Sequence, residues 1–219
     1  MTWWQKLKNN PLARFGAVLL IAFYLIVIAA EFVAPYAPSA SQVDGALLPP
    51  TQIYWRNQAG EWIGPHVYPT TQGPVSLETG DRQLIVDRNK PLPLGFLVKG
   101  DSYQWLGIRS DRHLFGTVTP NEGKFNLLGT DEQARDQFSR LVHGGRVSLS
   151  IGLIGVIISF PLGMLVGGIS GYFGGLTDSV LMRLVEVLMT IPGIYLLVAL
   201  AAVLPAGITS TQRFLLIIV

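Results

Sequence analysis

The sequence contains no cysteine among its 219 residues, and charged residues make up only 14% of it. Without cysteine, this sequence offers no disulfide, no thiolate metal site and no cysteine nucleophile. Average soluble proteins carry roughly 25% charged residues. The formal net charge is only +2, and the basic residues are not clustered, which gives little support to nucleic-acid binding. The disulfide-rich and nucleic-acid-binding classes are therefore disfavoured.

Motifs for nucleotide binding and catalysis are also missing from the sequence. It has no GK[ST] tripeptide, so a P-loop is absent. Its histidines, His66, His113 and His143, are far apart and lack a metal-ligand spacing such as HExxH. No GxSxG motif or close acidic pair stands out in the apolar part. We predict that the chain is not an enzyme and uses no cofactor; a catalytic role would need an activity traceable to His66 or His113.

Long apolar runs dominate what is present. The chain is 49% hydrophobic with a mean hydropathy of +0.41, and residues 15–34 have about the 20 residues that a transmembrane helix needs. Residues 1–14 carry basic residues and no acid, which predicts a cytoplasmic N-terminus. A signal peptide is the competing interpretation, but the run exceeds a usual signal core and lacks a clean cleavage site. Glu31, near the outer end, is either a functional acid or one that simply reaches water.

Residues 35–126 differ in composition, because they hold most of the 14 prolines. Short apolar patches at 83–86 and 94–98, separated by glycine and proline, are typical of brief strands. We predict a small β-rich extracytoplasmic insert here. Its scattered aromatic residues either form the core of a small domain or contact a partner.

A short amphipathic helix is predicted at 130–143. Thr130 is a good N-cap with Gln133 at the capping-box spacing, and Asp136 and Arg140 are spaced as an i,i+4 ion pair. The adjoining Gly144-Gly145 pair would let the chain turn before an apolar run begins at Val147.

Two further spans are predicted at about 147–169 and 179–204, joined by a tight glycine-rich cytoplasmic turn. Pro161 should kink the first of them, and Gly163 and Gly167 form a small-xxx-small pair suited to helix packing. A partial span begins at 213–219, so the sequence looks cut short inside a fourth span. The fold class predicted is thus mostly α: a polytopic membrane protein with three complete spans, the start of a fourth, and the insert.

The span at 179–204 is interrupted by proline and glycine. A helix break at membrane depth must be buried in protein or line a water-filled path. The interruption is therefore either a candidate translocation path or an ordinary proline kink used in packing. Its residues are Met189, Thr190, Pro192 and Gly193.

Several segments together resemble one family of membrane proteins. The signature residues of the first segment are Gly129, Thr130, Asp131, Arg135, Asp136, Ser139, Arg140, Gly144 and Arg146. Further matching segments are Asn10 to Ala13, Gly171 to Gly175 and Ile191 to Gly193. The pattern resembles the second permease subunit of dipeptide, oligopeptide and nickel ABC transporters. Ala134 departs from it, because the family usually has glycine there, and a more regular helix is expected.

The resemblance implies a permease subunit of an ATP-driven importer of peptides or related small solutes, including nickel, in a bacterial inner membrane. Its partners would be a second permease subunit, cytoplasmic ATP-binding subunits and an extracytoplasmic substrate-binding protein. The coupling helix that docks into the ATPase in that family has no counterpart before the sequence ends. The alternative is a non-transporting membrane anchor that presents residues 35–126 to an extracytoplasmic partner.

Overall fold

The computed structural model describes residues 8–76, 82–105, 107–205, 207–208, 212 and 216. The chain divides into two compact units, Met1–Arg146 and Val147–Val219. The first unit contains one long apolar helix and all the strands, whereas the second is helical throughout its described elements.

The first unit begins with helix α1, Pro11–Ile28. The Asn10 side chain accepts hydrogen bonds from the backbone N–H groups of Leu12 and Ala13, at 3.0 and 3.3 Å. Asparagine is a favoured N-cap, and proline suits the first helical position. A short helix α2, Ala30–Val33, follows after Ala29. The predicted span at 15–34 therefore starts earlier and is interrupted once near its end.

The described residues of the insert, 35–76, 82–105 and 107–126, form six strands. Their bounds are β1 Tyr54–Arg56, β2 Trp62–Val67, β3 Thr70–Val75, β4 Arg82–Val86, β5 Leu92–Trp105 and β6 Ile108–Thr117. Four form an antiparallel sheet in the order β1-β2-β5-β6, and β3 pairs with β4 in a separate two-stranded sheet. The two apolar patches expected to be strands lie within β4 and β5.

A small hydrophobic core holds the insert together. Val67, Leu92 and Phe125 are buried in it, with Leu94 and Phe115 packed against them. The rings of Phe115 and Phe125 meet edge to face, with centroids 5.9 Å apart. The aromatic residues of the insert divide between two roles, because Tyr68 is buried whereas Trp55 and Trp62 are exposed.

Helix α3, Gln137–Phe173, follows the insert and is continuous through Pro161. The prediction of a separate helix at 130–143 is wrong. Residues 130–136 form turns and isolated bridges, and Ala134 has a φ of 59°. That left-handed conformation favours glycine, so the expectation of a more regular helix at Ala134 is also wrong. Gly144 and Gly145 lie inside α3, where the chain does not turn.

The second unit continues with α4, Gly175–Thr190, and α5, Gly193–Val203. The join between α3 and α4 is shorter than predicted, because only Gly174 separates them. Gly174 and Gly175 have φ angles of 58° and 53°, which glycine adopts without strain. Helices α4 and α5 are bent by 76° at the predicted break.

The prediction of three complete spans plus the start of a fourth is wrong. Within the described residues, two helices, α1 and α3, are long and apolar enough to cross a membrane, or three if the bent pair α4–α5 is one span. Pro192 has no N–H and disfavours helix for the residue before it, so neither half of the bent pair alone reaches the length of a span. Residues 213–219, except for Leu216, lie outside the described residues. Two sheets in the insert also make the fold a mixture of helices and strands rather than mostly α.

Candidate functional site

The first signature residues lie in a turn that docks onto a distant loop. Gly129 has a φ of 78°, and a Cβ added there would lie 2.4 Å from the Leu48 carbonyl oxygen, so only glycine fits. Thr130 is buried; its hydroxyl accepts a hydrogen bond from the Leu48 N–H at 2.8 Å and donates one to the Gly45 carbonyl. We call residues 129–136, together with the loop 41–48, the clasp.

Asp131 organises the centre of the clasp. One carboxylate oxygen accepts hydrogen bonds from the backbone N–H groups of Gln133 and Arg135, both at 2.9 Å. The other accepts from the Arg135 guanidinium at 2.8 and 2.9 Å and from Arg140. The predicted pair between Asp136 and Arg140 is therefore replaced by a pair between Asp131 and Arg140.

Asp136 begins helix α3 in place of the predicted cap at Thr130. Its carboxylate accepts a hydrogen bond from the Ser139 N–H at 2.7 Å, which is the N-cap interaction. Ser139 is fully buried, and its hydroxyl accepts a hydrogen bond from the Tyr36 N–H at 3.3 Å. The clasp thus ties the start of α3 to the chain that leaves the first helix.

The two carboxyl groups of the clasp have opposite pKa shifts. Desolvation alone would raise the pKa of Asp131. Hydrogen bonds to its carboxylate outweigh that effect; they come from the Arg135 side chain and from the N–H groups of Arg135 and Gln133. Together with the positive charge of Arg135, they lower the pKa of Asp131 to about 2. Burial raises the pKa of Asp136 above its usual value, although hydrogen bonds from Ser139 oppose the shift. Asp131 is therefore held as an anion, whereas Asp136 is buried at a cost.

Arg146 in α3 forms a second connection, to Glu31 and the end of α1; we call this contact the Arg146 joint. Its guanidinium donates two hydrogen bonds to Glu31, at 2.6 and 2.7 Å, and reaches the carbonyl oxygens of Val27 and Ile28 at 3.2 and 3.1 Å. A bidentate pair of this kind is among the stronger ionic contacts. A Cβ on Gly145 would lie 3.0 Å from the Val27 side chain, so this glycine lets the two helices approach closely.

The remaining predicted site residues lie in the second unit and are not in the clasp. No described atom lies within 4 Å of a Cβ built on Gly163 or Gly167, so their packing role stays a prediction. Met189, Thr190, Pro192 and Gly193 lie at the bend between α4 and α5, where the Thr190 hydroxyl donates to the Glu186 carbonyl at 2.8 Å. Their role in a translocation path also stays a prediction.

The described residues offer no cluster of three or more histidine, aspartate or glutamate side chains that could hold a metal ion. The carboxylates of Asp131 and Glu31 are instead paired with arginines of the same chain, which favours a structural role for the clasp and the Arg146 joint. Sequence reasoning missed the loop 41–48 and the partner of Glu31. An acid at the end of one span and Arg146 at the start of the next were the available signal for that pair.

Comparison with known proteins places this geometry in context. A model of the N-terminal transmembrane domain of oligopeptide transport permease C matches residues 2–50. The peptidoglycan transport system permease protein YejE of Agrobacterium fabrum is 28% identical over 218 residues, covering 93% of this chain and 56% of its own. The chain is similar to permease subunits of peptide transport systems. The resemblance predicted from the signature residues is confirmed.

Two other relatives match shorter stretches. The di/tripeptide transport system permease protein DppC of Pseudomonas aeruginosa is 44% identical over 85 residues, 39% of this chain and 28% of its own. The glutathione transport system permease protein GsiD of Pectobacterium atrosepticum is 37% identical over 92 residues, 41% of this chain and 31% of its own. The chain thus spans about half the length of the Agrobacterium relative and about a third or less of these two. Because the Agrobacterium match covers 93% of the chain, it includes most of the insert.

Proposed function

We propose that this chain contributes membrane helices to the permease of an ATP-driven importer of peptides or related small solutes. The observation that carries the proposal is its similarity to permease proteins named for peptidoglycan, di/tripeptide and glutathione transport. The long apolar helices α1 and α3 are what such a membrane subunit requires. The proposed location is the bacterial inner membrane, with the N-terminus in the cytoplasm and the insert outside.

In this proposal the two units have separate tasks. The helices of the second unit form part of the translocation path, with the bend at 190–193 lining it, and Gly163 and Gly167 face another helix. The clasp and the Arg146 joint hold the insert at a fixed place on the first and third helices. Energy comes from separate cytoplasmic ATPase subunits, and a second permease subunit and an extracytoplasmic binding protein complete the importer.

The proposal is tested by uptake of a radiolabelled tripeptide into cells that lack their own peptide importers. The gene product is expressed with the second permease and ATPase subunits of the same organism, with and without a Pro192→Leu substitution. We expect uptake that requires this subunit, falls at least tenfold in the variant, and accompanies co-purification with the ATPase in mild detergent. Equal uptake without the subunit, or no co-purification, would contradict the proposal.

The insert itself favours a second candidate, a membrane anchor that presents a binding surface. It has its own core and a cleft of about 590 Å³ whose lining includes Tyr54, Tyr68, Arg88 and Lys124. A cleft with aromatic and cationic side chains suits a polar solute. Deleting residues 52–124 separates the two candidates. An anchor loses its function when the insert is removed, whereas a permease without the insert still associates with the ATPase.

A further inference from the structure

The hairpin formed by β5 and β6 runs along the chain that leaves the first helix. Near the middle of β6, the His113 ring contacts the Ala34 carbonyl oxygen at 2.7 Å. At the turn of the hairpin, the Trp105 indole N–H donates to the Ile28 carbonyl oxygen at 2.9 Å. The hairpin therefore points back toward α1, with its turn beside the last residue of that helix.

The length of α1 indicates how deep this turn lies relative to the hydrocarbon layer of a membrane. An 18-residue helix is about 27 Å long at 1.5 Å per residue, close to the hydrocarbon thickness of roughly 30 Å. Ile28 is the last residue of α1, so its carbonyl oxygen lies near the edge of the hydrocarbon layer. Trp105, bonded to that oxygen, lies at the depth where tryptophan is enriched in membrane proteins.

The turn presents an apolar and a cationic residue together. Ile108 pairs with Trp105 in the strand register and is 68% exposed. Arg109, one residue further, is exposed as well, and the sequence from 103 to 110 contains no acid. Ile108 shares a face of the hairpin with its register partner Trp105, whereas Arg109, the next residue of β6, lies on the other face. An indole and an aliphatic side chain, with a guanidinium at the same tip, match the chemistry of the head-group region, where acyl chains meet phosphate.

The last turn of α1, to which Trp105 bonds, also has exposed apolar side chains. Leu25 and Ile28 on the last turn of α1 are exposed, as a lipid-facing helix surface is. Trp55 and Trp62 form the contrasting case, because they stack on each other at 5.4 Å on β1 and β2, away from β6 in the strand order. The feature that distinguishes Trp105 is its bond to the membrane helix.

We propose that Trp105, Ile108 and Arg109, the hairpin tip, insert into the head-group region of the leaflet that holds the end of α1. Ile108 contacts the upper acyl chains, Arg109 binds lipid phosphate, and Trp105 positions the tip through Ile28. The hairpin tip thereby gives the insert a lipid contact in addition to the clasp and the Arg146 joint.

A site-directed spin-label experiment tests this proposal, because the absence of native cysteine makes each introduced cysteine unique. Ile108→Cys and Phe96→Cys are labelled with a nitroxide in the full chain and reconstituted into vesicles of phosphatidylethanolamine and phosphatidylglycerol. Phe96 is the matched control, since it lies in the same hairpin and is 83% exposed. It pairs with Phe115, which is seven residues from Ile108 on β6, about 23 Å along a strand. Collision rates with oxygen and with a water-soluble nickel chelate are then measured.

We expect oxygen to reach the label at Ile108→Cys at least threefold more effectively than the chelate does, and the reverse at Phe96→Cys. Arg109→Cys gives the same contrast more weakly and serves as the second variant if Ile108→Cys does not fold. Equal aqueous accessibility at all three sites would overturn the proposal. So would shielding of Ile108→Cys from both reagents, which indicates a protein partner, or lipid accessibility at Phe96→Cys, which indicates that the whole insert lies on the membrane.

Discussion

In residues 8–146, buried and half-buried polar side chains are joined to residues far away in sequence: Thr130 binds the loop 45–48, and Arg146 binds Glu31. In residues 147–205, Arg183 pairs with Glu186 and Ser170 donates to Asp178, contacts that are local in sequence, while apolar side chains cover the helix surfaces. The first unit therefore carries its own tertiary contacts. The second presents surfaces that a bilayer or another subunit must cover.

This difference predicts that similar substitutions have unlike effects in the two units. In the first unit a substitution disturbs contacts that already exist within the chain. In the second it changes a surface whose partner is lipid or another subunit. Each comparison below uses the free energy of unfolding of the insert in detergent micelles. It is followed by tryptophan fluorescence in a Trp3→Phe, Trp4→Phe background, because the other three of the five tryptophans, Trp55, Trp62 and Trp105, lie in the insert.

The largest expected effect is that of Gly129→Ala. A methyl group there meets the Leu48 carbonyl oxygen at 2.4 Å in a left-handed conformation, so we expect a loss of about 3 kcal/mol. The matched variant Gly163→Ala, in the middle of α3 with open space around it, lies outside the insert and should leave the insert's free energy of unfolding unchanged. An equal loss of unfolding free energy in the two variants would contradict the difference in packing between the two units.

Arg146→Met is expected to cost about 2 kcal/mol, because Glu31 loses its partner and two carbonyl oxygens of α1 lose a donor. Adding Glu31→Gln should recover part of that loss, which a double-mutant cycle measures. Arg183→Met is the control: its pair with Glu186 is 79% and 63% exposed, so its removal should change stability by less than about 0.5 kcal/mol. An additive cycle at Arg146 and Glu31 would show that the joint is not a coupled pair.

Asp131→Asn should cost about 1.5 kcal/mol, because Arg135 and Arg140 lose their shared carboxylate. The pKa of Asp131 is lowered to about 2 from 3.8, so its contribution is present above pH 3.8 and is lost as the pH falls toward 2. The variant should lack this part of the acid destabilisation. Glu132→Gln, a change at the exposed neighbouring acid, should still lose stability as the pH falls. The same dependence of unfolding free energy on pH in both variants would contradict the role of Asp131.

The smallest expected effect is that of Asp136→Asn. Asparagine is as good an N-cap as aspartate, and burial raises the pKa of Asp136, so the amide removes a charge that is costly to bury. We expect a change within about 0.5 kcal/mol at pH 7, whereas Asp136→Ala should cost about 1 kcal/mol through loss of the cap. A loss with Asp136→Asn as large as with Asp131→Asn would show that both charges are needed.

Local patterns predicted the elements whose determinants lie close together in sequence. The apolar run of α1, the strand patches in β4 and β5 and the break before Pro192 were all visible in short windows. Thr130 and Gln133 also fitted a local pattern, the capping box, but this pattern misled. The deciding contacts join Thr130 to Gly45 and Leu48, more than 80 residues earlier, and no local window contains them.

The same reasoning explains the ion pairs. Spacing on a helix favoured Asp136 with Arg140, yet residues 130–136 are not helical, and Arg140 pairs with Asp131 instead. Glu31 and Arg146 are 115 residues apart, and only the expectation that both lie at one membrane boundary could have paired them. The turn predicted at Gly144 and Gly145 is wrong, because Gly145 instead allows a close approach to Val27, which requires the same residue type.

The most direct test of the clasp is amide hydrogen exchange across residues 130–140, in the native chain and in Asp131→Asn. We predict that the Gln133 and Arg135 amides, which donate to the Asp131 carboxylate, are protected in the native chain and lose protection in the variant. The Arg140 amide, bonded to the Asp136 carbonyl oxygen, should stay protected in both. Exchange at the Gln133 and Arg135 amides that is unchanged by Asp131→Asn would contradict the clasp.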